Sequence, residues 1–299
     1  MSLRIGFIGL GIMGKPMSKN LLKKGYELIV YDLNEDAVKN VAECGAQAGT
    51  SCKNVAENSD IVITMLQNSP HVEKALLGEN GVCDGARPGT IVIDMSSINP
   101  TVSQKLFGIL ADKGMEMLDA PVSGGEPKAI DGTLSIMVGG KEEIFNKVKD
   151  ILLCMGSSTV YVGEIGSGNI TKLANQIIVA LNIAAMGEAL SLATKAGVDP
   201  ERVYQAIRGG LAGSTVLDAK APMVFNRNFK PGFRIELHIK DLRNAIDAGK
   251  STDMPLPLTE KALDMMIDLE KDGMGACDHS ALVRYYEKLA GIEVKPISE

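Results

Sequence analysis

Apolar residues in the first third of the chain fall into short continuous runs, with amphipathic stretches between them. Arg4 to Ile8, Glu27 to Tyr31, Ile61 to Met65 and Thr90 to Asp94 are β-prone runs bounded by turn-forming residues. Between the first three, Pro16 to Lys24 and Glu35 to Glu43 carry apolar residues at helical spacing and are stopped by Gly25 and Gly45. Strand and helix alternating at this spacing predicts right-handed βαβ crossovers, and so a parallel sheet covered by helices on both faces. Ligands of such a sheet gather beyond the carboxyl ends of its strands, where Gly9, Met65 and Asp94 are expected to lie.

The pattern then changes. Met115 to Leu118 reads as a further strand, and Gly132 to Gly140 alternates enough to be another. Beyond Gly166 and Gly168, Asn169 to Ala196 reads as one helix of roughly 40 Å, ended by Gly197 and Pro200. Apolar residues cover most of its circumference, which predicts burial in a second domain. Lys172, Asn175, Gln176, Asn182 and Glu188 interrupt the run and argue against a membrane span. The expected fold is α/β: a Rossmann-type doubly wound domain over 1–164 and an all-helical domain over 165–299, joined by the long helix.

Bulk composition adjusts this picture only a little. A chain of 299 residues exceeds what one core usually fills, which supports two domains. The net charge of −6 argues against nucleic acid as the main partner, because phosphate binding needs a clustered excess of Lys and Arg. Five cysteines with no CxxC pair suggest reduced, buried thiols rather than disulfides or a metal site. The opening MSLRIGFIGLGIMG lacks a signal peptide's order of regions, so a cytoplasmic protein is expected.

Candidate chemistry begins at Gly9-Leu10-Gly11-Ile12-Met13-Gly14, a GxGxxG set directly between a predicted strand and helix. There the first glycine can make the tight turn, the second can admit a pyrophosphate, and the third can let helix pack on strand. Asp32 closes the second strand, where a carboxylate can accept from both adenosine ribose hydroxyls. No Arg follows in Leu33-Asn34-Glu35, so NAD is expected in preference to NADP. A plain turn acid is the alternative for Asp32.

Ser123, Gly124 and Gly125 can present successive N–H groups and a hydroxyl to a small carboxylate, or form a tight loop with no ligand. Lys172 shares a helix face with Asn175 and Gln176. An ammonium there can stabilise charge growing on a carbonyl oxygen and deliver a proton, or it can snorkel to water from the helix start. Lys240 reads as a helical charge beside Asp241, and His71, His238 and His279 as structural, His238 least securely.

Four segments together, GFIGLGIMGKPMSKNL, DAPVSGG with GTLSIMVGG, GxGNxxKLANQ and KDL, resemble the β-hydroxyacid dehydrogenase family in order and spacing over nearly the whole chain. The resemblance implies an NADH-dependent oxidoreductase with Lys172 as general acid, Ser123 to Gly125 holding the substrate carboxylate, and Asn175 orienting the substrate with Gln176 beside it. It also implies that Lys240 lies near the nicotinamide and that Met65, Leu66 and Ser96 line the cofactor cleft. SGGEPKAIDGTLS and KLANQIIVALNIAAM are most similar to the branch that reduces tartronate semialdehyde to D-glycerate, with 3-hydroxyisobutyrate or another β-hydroxyacid as the alternative substrate. A non-catalytic dinucleotide-binding scaffold is the remote alternative. A homodimer or homotetramer is expected from the same resemblance.

Overall fold

The computed structural model describes residues 3–297; the outermost positions of both expected domains, residues 1–2 and 298–299, lie outside the described residues. Two compact units are present, Met1–Lys172 and Leu173–Glu299.

In the first unit the strands are β1 (Arg4–Ile8), β2 (Glu27–Tyr31), β3 (Gln47–Ala48), β4 (Ile61–Thr64), β5 (Ile91–Asp94), β6 (Glu116–Asp119), β7 (Val122–Ser123), β8 (Leu134–Gly140) and β9 (Gly156–Gly163). They form one sheet in the order β3-β2-β1-β4-β5-β6-β8-β7, with β9 also paired to β8. The six strands from β3 to β6 run parallel, which is the doubly wound order expected of a dinucleotide-binding sheet. β8 then joins β6 antiparallel and extends the sheet.

Alternation along each strand decides which face a residue serves. Ile5, Phe7, Leu28, Val30, Ile61, Ile63, Ile93 and Leu118 belong to one core, whereas Ile8, Ile29, Val62, Val92 and Met117 belong to another. Helices α1 (Gly14–Lys23), α2 (Glu35–Ala42), α6 (Gly125–Asp131) and α7 (Glu142–Leu152) cover the first face. The second is covered by α3 (Cys52–Glu57), α4 (Ser69–Leu77) and α5 (Pro100–Asp112). α7 alone buries Ile144, Phe145, Val148, Ile151 and Leu152, each worth about 2 kcal/mol of removed apolar surface.

The long helix α8 (Ser167–Lys195) starts in the first unit and continues as the backbone of the second. By length and composition it is long and apolar enough to cross a membrane. Its Ala180, Ile183, Met186 and Leu190 nevertheless belong to the core of the helical unit. That unit adds α9 (Pro200–Ile207), α10 (Thr215–Phe225), α11 (Ile235–Ser251), α12 (Pro257–Leu269) and α13 (Val283–Ala290). α13 lies so close to α8 that a Cβ on Gly187 would stand 3.2 Å from the Tyr286 ring.

The cysteines depart from expectation. All five are free thiols, but Cys44 is exposed and Cys52, Cys83, Cys154 and Cys277 are only partly covered. Cys52 stands at the start of α3 and Cys154 just past α7, where the chain runs along the surface.

Candidate active site

The glycine turn is built by backbone contact. Gly9 has φ +98° and donates its N–H to Tyr31 O at 2.9 Å, and any Cβ there would collide with Met65 O. A Cβ on Gly14 would strike the Gly9 carbonyl, so this glycine is what lets α1 begin against β1. Gly11 faces open space. Leu10 is buried, Ile12 exposed and Met13 packed against the core. Beside the turn lies a cavity of about 570 Å³ lined by Leu10, Gly11, Ile12 and Asn34. The free N–H groups at the start of α1 and the open approach at Gly11 fit a pyrophosphate.

Asp32 ties the end of β2 to this turn. One carboxylate oxygen accepts from Leu10 N at 2.6 Å and the other from Asn34 N at 2.7 Å. It therefore plays the turn-acid part, and each oxygen still has lone-pair capacity for a ribose hydroxyl.

Met65, Leu66 and Ser96 come together at the neighbouring strand ends. Ser96 Oγ accepts from Leu66 N at 2.8 Å, and Met65 N donates to Ile8 O at 2.9 Å. Beneath them is the buried Asp94, whose Oδ1 accepts from Thr64 Oγ1 at 2.8 Å and Ser96 N at 3.1 Å, while Oδ2 has no hydrogen-bond partner among the described residues. Burial pushes the Asp94 carboxyl up to about 6 against the pull of Ser96 and Thr64, and nearby Asp119 adds to the rise.

Ser123 closes β7, and Gly124 and Gly125, both at positive φ, turn the chain into α6. The expected loop is thus a strand end joined to a helix start, with Gly124 wedged against the Lys128 side chain.

Lys172 lies in the second turn of α8 and is only 7% exposed, so it does not reach out to water. The start of its helix is locked to the sheet by groups that pattern reading did not find. Asp119, at the end of β6 and fully buried, accepts from Gly166 N at 2.8 Å and Asn169 N at 2.7 Å. Asn169 in turn accepts from Ile98 N at 3.0 Å and donates to Ser103 Oγ at 3.2 Å. Gly139 and Gly168 make the room, since a Cβ on either would meet Asp119 atoms. Burial raises the Asp119 carboxyl above its ordinary range, although the N–H groups of Asn169 and Gly166 oppose the rise. The only sequence signal was that Asp119 and Asn169 stand inside DAPVSGG and GNxxK.

In the helical unit, Asn175 Nδ2 donates to Gln176 Oε1 at 2.9 Å, and Gln176 Nε2 donates to Asp241 Oδ2 at 2.7 Å. Lys240 Nζ pairs with Asp241 Oδ1 at 3.1 Å. The buried Asp241 thus gathers three candidate residues from α8 and α11. His238 and His279 are buried here, and His71 sits on the surface beside Asn68.

Residues 4–163 match the family described as the NAD binding domain of 6-phosphogluconate dehydrogenase, and residues 166–286 that described as NAD-binding of NADP-dependent 3-hydroxyisobutyrate dehydrogenase. The chain is 43% identical to 2-hydroxy-3-oxopropionate reductase of Escherichia coli over 96% of its own length and 98% of that protein's. It is 39% identical to 2-(hydroxymethyl)glutarate dehydrogenase of Eubacterium barkeri, over 98% of both chains. A solved 3-hydroxyisobutyrate dehydrogenase of Mycobacterium tuberculosis superposes with a TM-score of 0.88 at 32% identity, covering 95% of this chain and 99% of that one. The chain belongs to the β-hydroxyacid dehydrogenase family and is an oxidoreductase with a nicotinamide dinucleotide cofactor.

Proposed function

We propose that the protein reduces tartronate semialdehyde (2-hydroxy-3-oxopropionate) to D-glycerate with NADH, the aldehyde taking up one hydride and one proton. The observation that carries this reading is Lys172, a buried lysine whose helix is pinned to the strand ends by Asp119 and Asn169. When bound, the reduced nicotinamide supplies the hydride. Gly9 to Gly14 hold the pyrophosphate, Asp32 the adenosine ribose, and Met65, Leu66 and Ser96 line the cofactor's path, with Lys240 toward the nicotinamide end.

Ser123, Gly124 and Gly125 hold the substrate carboxylate, while Asn175 and Gln176 fix the rest of the substrate. The Lys172 ammonium donates to the aldehyde oxygen, stabilises the charge growing there and transfers its proton. In the reverse direction neutral Lys172 is the base. Similarity to the Escherichia coli enzyme supports this substrate, and Asp32 without a following Arg supports NADH over NADPH. In this reading residues 1–164 serve the cofactor and 165–299 serve substrate and association, in a cytoplasmic homodimer or homotetramer.

The test is NADH oxidation by the purified protein with tartronate, methylmalonate and succinate semialdehydes, together with Lys172→Ala. The first substrate should have the highest kcat/KM. The variant should lose about 10³-fold in kcat while keeping its NADH affinity. Retained turnover would remove Lys172 from the chemistry, and preference for another semialdehyde would reassign the substrate.

A further inference from the structure

A buried polar chain in the helical unit is left unused by the reaction above. Asp278, fully buried, accepts from the backbone N–H groups of Gly232 and Phe233 at 3.0 Å each and of Ser280 at 2.9 Å. Lys220 Nζ reaches its carboxylate at 2.9 Å. Burial alone would raise this acid, but neighbouring His279 and Lys220 and the N–H groups of Ser280 and Phe233 hold it down at about 2. His279 Nδ1 lies 3.0 Å from Nδ1 of His238, and His238 Nε2 lies 3.1 Å from the main-chain oxygen of Gln176. Phe233 packs edge-on against both imidazoles and fixes their rotation.

Proton direction follows from the acceptor at the end of the chain. A carbonyl oxygen only accepts, so His238 Nε2 carries its proton. The facing Nδ1 atoms of His238 and His279 share one proton between them, and that bond aligns the two rings. Within α8 the Gln176 carbonyl serves the N–H four residues on, and its second lone pair takes His238. The carbonyl so held belongs to the residue whose side chain bridges Asn175 and Asp241.

We propose that His238, oriented by His279, is a positioning residue that fixes the turn of α8 bearing Asn175 and Gln176 and thereby sets substrate affinity without touching substrate. The proposal rests on the reading that these two amides contact the substrate. Its test is steady-state kinetics of the full-length protein, with tartronate semialdehyde and NADH varied separately, in two arms.

Asn175→Ala and Gln176→Ala probe the underlying reading and should each raise KM for the semialdehyde about tenfold. His238→Phe should raise the same KM roughly fivefold, change kcat less, and leave KM for NADH alone. His238→Gln, whose amide N–H can reach the same carbonyl, should restore KM to within about twofold of wild type. If both amide variants leave KM unchanged, the underlying reading fails. If they raise it and His238→Phe does not, the positioning role fails alone. Should His238→Phe not fold, His238→Asn, too short to reach the carbonyl, replaces it, and equal KM values for the Asn and Gln variants overturn the proposal.

Discussion

Replacing Asp119 by alanine tests whether a single carboxylate holds the start of α8. In the native protein it receives two short bonds, from Gly166 N at 2.8 Å and Asn169 N at 2.7 Å, in a fully buried site. Alanine leaves both N–H groups buried without that acceptor, at about 1–3 kcal/mol each. Part of that loss is offset, because the variant no longer buries a charge that the protein desolvates, as the raised carboxyl shows. A net loss of about 3 kcal/mol remains, equivalent to a fall in Tm of roughly 6–12 °C for a unit of this size. Lys172 lies three residues beyond Asn169, so loosening the first turn displaces the ammonium, and kcat should fall at least about tenfold. Thermal unfolding by circular dichroism and NADH-coupled turnover measure the two effects, with NADH titration as the control for a folded cofactor domain. A Tm within about 2 °C of wild type together with unchanged kcat would refute the capping argument.

Asp32→Ser should raise the NADPH-to-NADH ratio of kcat/KM at least about tenfold by removing the like charge from the 2′-phosphate, and an unchanged ratio would count against Asp32 as the discriminator. Asp94→Asn tests the sign of a buried acid. Its folded value of about 6 lies above the ordinary 3.8, so the native state holds the proton longer and wild-type stability falls as pH rises from about 4 to 6. The variant cannot ionise, so the Tm difference, wild type minus variant, should be largest near pH 4 and shrink toward pH 7; a constant difference would contradict the assignment. Gly187→Val should overpack the contact of α8 with Tyr286 and Val283 at about 1–3 kcal/mol, read as a lower urea midpoint.

Much of the sheet was legible because its strands are buried on both faces and so appear as continuous apolar runs. β1 and β2 fall on the expected residues, and β4 and β5 differ by one residue at an end. β9 was missed, since Val160 is exposed and neither face of the strand is uniformly apolar. α1 starts two residues before the expected Pro16, because the first turn of a helix does not need the N–H that proline lacks. The face shared by Lys172, Asn175 and Gln176 was legible from spacing. What fixes it was not: the Asp119–Asn169 bonds join residues 50 apart, and Gln176–Asp241 spans 65. Pairings between distant polar residues leave no periodic trace in a single sequence.

Lys172, Asn175 and Gln176 ride on one uninterrupted helix from Ser167 to Lys195. Inserting or deleting one residue between the lysine and the amides would swing one relative to the other by about 100° around the axis. On the proposed assignment, a change of substrate in this scaffold is confined to exchanging side chains at fixed intervals, because a shift in chain length here would turn Lys172 away from the helix face that carries Asn175 and Gln176.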